Sequence, residues 1–215
     1  MTSPPPDPDR YADALIAAAS GAPKSARTKA RLQSALCRLL DDGPPDRLKV
    51  AEVARAAGTA HGTFYTYFPD IRAGLAETLT GFVGFLQDRM RTAARQGESA
   101  ADRSRRTTAA YVQLFEVNRG LMRCLVTGMA GFPEAMAAFR RLNRDWTETV
   151  VAARARHSPV PRDELLRRAY ALGGMVDQYL IALHFGGDPE LDRLSRDRAA
   201  VIDTLTHIWE RGMDG

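Results

Sequence analysis

The sequence predicts an all-α protein of about nine helices, with a small N-terminal helix-turn-helix domain of three short helices and a larger helical domain after it. Three observations carry this. Apolar residues recur at helical spacing through nearly the whole chain, as in Leu32, Ala35, Leu36, Leu39 and Leu40. No alternating strand pattern appears, and no internal period marks a repeat array. Finally, Lys49 to Leu75, KVAEVARAAGTAHGTFYTYFPDIRAGL, sets two short helical patterns around a glycine-containing turn.

The elements follow in order. Residues 1–23 form a disordered or weakly helical tail: four prolines open it, and only Tyr11, Leu15 and Ile16 offer an apolar face before Gly21 and Pro23. Ser25 is placed to cap the first firm helix, which runs to about Asp41 and is stopped by Gly43, Pro44 and Pro45. Residues 24–70 make up the N-terminal domain, with the helix-turn-helix at about 49–68. Its second helix covers about Lys49–Ala57, Gly58 to Ala60 form the turn, and a third helix reaches Phe68. Phe64 and Phe68 stand four residues apart on one face and belong to the core, while Thr63, Tyr65 and Thr66 fall on other faces. Pro69 breaks the chain and Asp70 caps a long fourth helix, about Ile71–Arg95, with Leu75, Leu79, Phe82, Val83 and Leu86 as its stripe.

Residues 71–215 form a second, larger domain, helical throughout. Helices are expected at about Ala101–Val117, Leu121–Met129, Pro133–Arg156, Arg162–Phe185 and on to Arg211, with breaks at Gly120, Pro159–Pro161 and Gly186–Pro189. The Arg162–Phe185 helix is apolar nearly all round and carries Gly173-Gly174, which permits close helix approach. Burial within one subunit and burial against a second copy explain it equally well.

Composition excludes several classes. No apolar run approaches the roughly 20 residues of a membrane span. MTSPPPDPDR has no apolar signal core, so a cytoplasmic protein without a membrane partner is expected. Cys37 and Cys124 sit inside helical patterns without metal spacing and read as small core hydrophobes in a reduced compartment. HExxH, GxSxG, phosphate-binding glycine loops and paired-cysteine sites are all missing, and His61, His157, His184 and His207 are scattered. The chain is expected to be no enzyme and to hold neither cofactor nor metal.

Charge points to a partner. Net charge is only +4, yet Lys24 to Lys49 contains seven basic residues against three aspartates, so the whole excess lies there. Lys24, Arg27, Lys29 and Arg31 crowd the start of the first firm helix against its own dipole, where an outside anion such as a DNA phosphate relieves the conflict. A solvated helix face is the plainer explanation of such a run.

The run AxxAGTAHGTFYTYFPD resembles the DNA-binding element of the TetR family of transcriptional repressors, with glycines, hydroxyls and aromatics in register. The resemblance implies that His61, Gly62 and Thr63 meet base edges in the major groove, and that Tyr65 and Tyr67 bind phosphates. Lys49 is placed to clamp a further phosphate, and Thr59 caps the recognition helix because Ala60 stands where the family often has Ser. Where the family often has a phosphate-binding Lys this chain has Ile71, so that contact is either lost or passed to Arg72. Arg27, Lys29 and Arg31 are flanking phosphate candidates.

The same resemblance implies a homodimer formed through the last two helices, a double-stranded, pseudo-palindromic DNA operator, and a small-molecule effector whose binding releases the DNA. For a largely apolar effector the candidate wall is Phe115, Met122, Met129, Phe132, Met136, Phe139, Trp146, Met175 and Tyr179, because methionines and aromatics make adaptable apolar linings. Each of them also reads as ordinary core. Asn118, Gln178 and His184 are candidate polar contacts. The alternative is a helical protein-interaction or ligand-binding module that no longer binds DNA, with Ile71 as its sole support.

Overall fold

The computed structural model describes residues 5–127, 132–156 and 158–214. Among the described residues there are eleven α-helices and no strand. They are α1 Tyr11–Ala18, α2 Lys24–Asp42, α3 Val50–Ala56, α4 His61–Tyr67, α5 Ile71–Arg95, α6 Ala100–Val117, α7 Arg119–Val126, α8 Pro133–Arg154, α9 Arg162–Phe185, α10 Pro189–Leu194 and α11 Arg198–Asp214. The two beyond the expected nine are α1 and the short α10. None of the described helices is long and apolar enough to cross a membrane.

The chain divides into two compact units. The first comprises Met1–Leu86 with Val117–Phe139, the second Gln87–Glu116 with Arg140–Gly215. In the first unit, Leu32, Leu36 and Leu40 of α2 are fully buried with Phe64 of α4, Phe68, and Leu75, Leu79, Phe82 and Leu86 of α5. Gly74 of α5 lets that helix come close: a Cβ there meets Leu36 Cδ1 and Phe68 Cγ at 3.3 Å and Phe64 Cζ at 3.4 Å. The apolar stripes of α2 and α5 thus enclose the two phenylalanines and fix the angle at which α4 is presented.

The N-terminal segment is better anchored than its composition suggests. Tyr11 is buried, its ring 5.5 Å from that of Phe82 and 5.3 Å from that of Phe85. Its N–H donates to Asn118 Oδ1 at 2.8 Å, and Asn118 Nδ2 donates to the Asp9 carbonyl at 2.8 Å. Arg10 pairs with Asp41 at 2.8 Å, Arg38 pairs with Asp13, and the Gly120 N–H donates to Asp41 Oδ1 at 3.0 Å. The start of α1, the end of α2 and the start of α7 are therefore one hydrogen-bonded knot. Asn118, read from the sequence as a ligand contact, is spent on that knot.

Helix ends account for further differences. α2 begins at Lys24 after Pro23 and has no side-chain cap, so Ser25 lies inside the helix instead of capping it. Asp70 does cap α5: its Oδ1 accepts the Ala73 N–H at 2.8 Å. Asp188 caps α10, accepting from Glu190 at 2.9 Å, with Pro189 at the first helical position.

In the second unit, Val151, Leu165, Ala169 and Met213 form a buried cluster flanked by Trp209, Leu172 and Val160. Arg154 closes it by pairing with both Glu210 and Asp214. Only Leu165, Ala169 and Leu180 of the 24-residue helix α9 are buried.

Candidate nucleic-acid interface

α3, a turn and α4 build the site. Val53 and Ala54 of α3 and Phe64 of α4 are buried, and Gly58 carries the turn with φ of 63°. That left-handed conformation suits a residue without a Cβ. The Thr59 N–H donates to the Ala54 carbonyl at 2.9 Å and its hydroxyl does so at 3.3 Å, closing the turn. Thr59 therefore does not cap α4. The capping position is Ala60, and no side chain caps the helix. Sequence spacing alone does not reveal this, because a threonine hydroxyl serves a turn carbonyl as readily as a helix N-terminus.

Because the buried side of α4 is taken by Phe64, its other side is open. His61 and Gly62 are exposed, Thr63 and Tyr67 are half-buried, and Tyr65 is 51% exposed. The His61 ring meets the edge of Tyr65 with centroids 5.5 Å apart, which limits its orientations. A Cβ at Gly62 meets nothing within 4 Å, so backbone is accessible there from outside. Lys49, at the capping position of α3, is exposed, and so are Arg55 and Arg72. Arg55 was not among the sequence candidates. Its signal was available, since a basic residue one turn after Glu52 on so short a helix has few places to hide.

The flanking basic residues differ from one another. Arg27 and Arg31 are exposed, and Arg27 Nη1 donates to the Ala22 carbonyl at 2.9 Å. Lys29 is committed inside the unit, its Nζ 2.7 Å from Glu77 and 5.5 Å from the centre of the Phe68 ring. It braces the head from α2 to α5 and has less freedom to reach outward. Ile71 is half-buried at the start of α5, leaving its neighbour Arg72 as the outward cation.

The apolar candidates divide between the units. Met122, Phe132 and Phe139 are buried and Met136 is half-buried in the first. Phe115 is buried in the second, where Trp146, Met175 and Tyr179 are half-buried. Met129 and His157 lie outside the described residues. Phe115 stacks on His184 with centroids 5.6 Å apart, and the Tyr179 hydroxyl shares a 2.8 Å hydrogen bond with Ser195. Cys37 and Cys124 are buried free thiols. Burial pushes Cys124 up to about 11 and Cys37 higher still, so both stay protonated and behave as small apolar groups. No group of three His, Cys, Asp or Glu among the described residues is placed to hold a metal ion.

Comparison with known proteins agrees with this geometry. A family profile described as bacterial regulatory proteins, tetR family, matches residues 32–77, from within α2 through α3 and α4 to the first turns of α5. The chain is 27% identical over 186 residues to the HTH-type transcriptional regulator EthR of Mycobacterium tuberculosis, covering 82% of each protein. A tetR-family transcriptional regulator from Streptomyces coelicolor shares its fold with a TM-score of 0.71 at 19% identity, over 86% of this chain and 80% of that one. The regulator FadR of Bacillus subtilis, solved with stearoyl-CoA, matches with a TM-score of 0.64 at 13% identity, over 85% of this chain and 97% of that one.

Proposed function

The chain belongs to the TetR family of transcriptional regulators, which are not enzymes, and on that premise we propose that it is a ligand-responsive repressor. It binds a pseudo-palindromic operator as a dimer and is released by a small, largely apolar effector. One observation carries the DNA half of this reading. On a single two-turn helix, Phe64 is buried while His61, Gly62 and Tyr65 face outward, between exposed cations at Lys49 and Arg72.

The division of labour follows from chemistry. His61 donates or accepts at a base edge, Thr63 bonds a base or touches a thymine methyl, and Gly62 lets backbone approach the groove. Tyr65 and Tyr67 hold phosphates and set the register, with Lys49, Arg72, Arg27 and Arg31 supplying charge. Lys29 contributes less, because Glu77 already holds it. α4 itself has no Lys or Arg, so attraction comes from its flanks.

One copy of so short a helix reads few base pairs, and two half-sites about 34–36 Å apart require a dimer. The surface of α9, α10 and α11 supports one. Tyr170 is 52%, Leu194 59% and Ile208 38% exposed. A Cβ at Gly173 or Gly174 meets nothing within 4 Å, so the close approach these glycines permit is not made inside the subunit.

For the effector, the methionine- and aromatic-rich helices α6 to α9 are the proposed sensor, residues 71–215 the sensing domain and 24–70 the DNA-binding domain. Bacillus subtilis FadR, a protein of this fold, was solved in complex with stearoyl-CoA, a molecule with a long apolar part. α5 is the natural lever, because one continuous helix starts beside α4 and ends at Arg95. An effector weakens DNA binding by the difference in its affinity for the two states.

The test is a gel shift of full-length protein against its flanking promoter at increasing salt. The expected result is a retarded band that weakens steeply with salt, as counterion release requires. Equal, feeble binding to unrelated DNA at all salts favours instead a helical module that has lost its operator.

A further inference from the structure

One carboxylate in the second unit is built in without a cation. Asp177 lies on α9, and its Oδ1 accepts the Tyr111 hydroxyl of α6 at 2.5 Å. Among the described residues no Lys, Arg or His pairs with it. The unit does not lack arginine. Glu164 is held by Arg167 and Arg168, Glu190 by Arg193, and Glu210 by Arg154. Those three carboxylates have arginine partners, whereas Asp177 receives only a neutral donor. Burial raises the Asp177 carboxyl above its ordinary range, the tyrosine hydrogen bond pulls it back, and no positive charge contributes. A desolvated carboxylate without a counter-charge is costly, and such groups cluster at functional sites.

Its surroundings suit a particular occupant. Tyr111 and Phe115 lie one turn apart on α6 with ring centroids 6.5 Å apart, and Phe115 stacks on His184, two turns beyond Asp177 on α9. The carboxylate thus has the Tyr111 ring beside it on α6, with the stack of the buried Phe115 on His184 beyond. Aromatic faces and a carboxylate together attract cations bearing apolar groups.

We propose that Asp177, held in orientation by Tyr111, anchors a cationic nitrogen group on the effector, so that the effector class is an apolar amine or ammonium compound. This rests on the sensor reading above. Tyr111 is the positioning residue. Its hydroxyl occupies one carboxylate oxygen and turns the other toward the ligand's N–H or N⁺ group.

The experiment uses the full chain and three probes sharing one aryl-alkyl body: phenethylamine, phenethyl alcohol and hydrocinnamate, titrated calorimetrically near neutral pH. The amine is expected to bind about ten-fold or more tightly than the alcohol, with hydrocinnamate weakest. Asp177→Asn, which keeps the shape, lowers the amine to the level of the alcohol. Tyr111→Phe weakens the amine and leaves the alcohol unchanged. Asp177→Asn also leaves the ligand-free thermal midpoint unchanged or raised, since an uncompensated charge is removed. Equal affinities, no binding by any probe, or binding unaffected by Asp177→Asn overturns the proposal. So does dissociation of the dimer by Asp177→Asn, which assigns the missing cation to a second copy of the chain. A gel shift separates the two readings. If the amine binds through Asp177 but leaves operator affinity unchanged, the sensor reading fails and the site stands. If the alcohol releases operator and the amine does not, the cation site fails and the sensor reading stands.

Discussion

α4 and α9 treat exposure in opposite ways. On α4 the apolar residue Phe64 is fully buried, and what remains outside is imidazole, hydroxyl, backbone and the half-exposed ring of Tyr65, whose hydroxyl gives it a polar end. On α9, by contrast, the aliphatic side chains of Leu166, Leu172, Val176, Ile181 and Leu183 stay only half-buried. The first surface is finished as it stands, because its outward groups are satisfied by water until a polar partner replaces it. The second exposes apolar area that water does not reward. The difference teaches which kind of partner each surface fits: a hydrogen-bonding one for α4 and an apolar one for α9.

Breaking the inner side of α4 gives the largest effect. Phe64→Ala removes a fully buried ring that meets Phe68 at 5.4 Å, and should cost about 3–5 kcal/mol of stability. Chemical denaturation measures this, and DNA binding should vanish with the fold of the head. Breaking the α9 surface should act differently. Tyr170→Asp should leave secondary structure intact, produce monomers in sedimentation, and lower operator affinity by roughly 10²-fold through loss of bivalent binding. If Tyr170→Asp stays dimeric, the interface lies elsewhere. The turn comes next. Gly58→Ala places a Cβ at φ of 63° and should cost about 1–2 kcal/mol in thermal unfolding. The smallest effect is electrostatic. Lys49→Gln should preserve sequence preference and reduce the salt slope of DNA binding by about one.

The all-α fold and the two faces of α4 were legible because both depend on local periodicity, which spacing records directly. Phe64 and Phe68 inward and Asp70 as a cap needed only their neighbours. What stayed hidden depends on distant partners. Tyr11 has a weak local pattern, yet it is fixed by Asn118, more than a hundred residues away along the chain. Lys29 looks like a free phosphate ligand until Glu77 on α5 claims it. Asp177 is an unremarked acid on an apolar helix until α6 brings Tyr111 to it. α10 is a different case. Asp188-Pro189 is a sound cap-and-start signal, but two glycines beside it made the segment read as a break.

The claim on which most depends is that α4 reads bases with its first residues and grips phosphates with its tyrosines. The direct measurement is selection from a randomised operator library by the unaltered protein, Thr63→Ala and Tyr65→Phe. The account expects Thr63→Ala to change which base is preferred at one position of each half-site, by about 1–3 kcal/mol of discrimination, while Tyr65→Phe weakens all sequences alike. An unaltered preference in Thr63→Ala, with only a uniform loss of affinity, would contradict it.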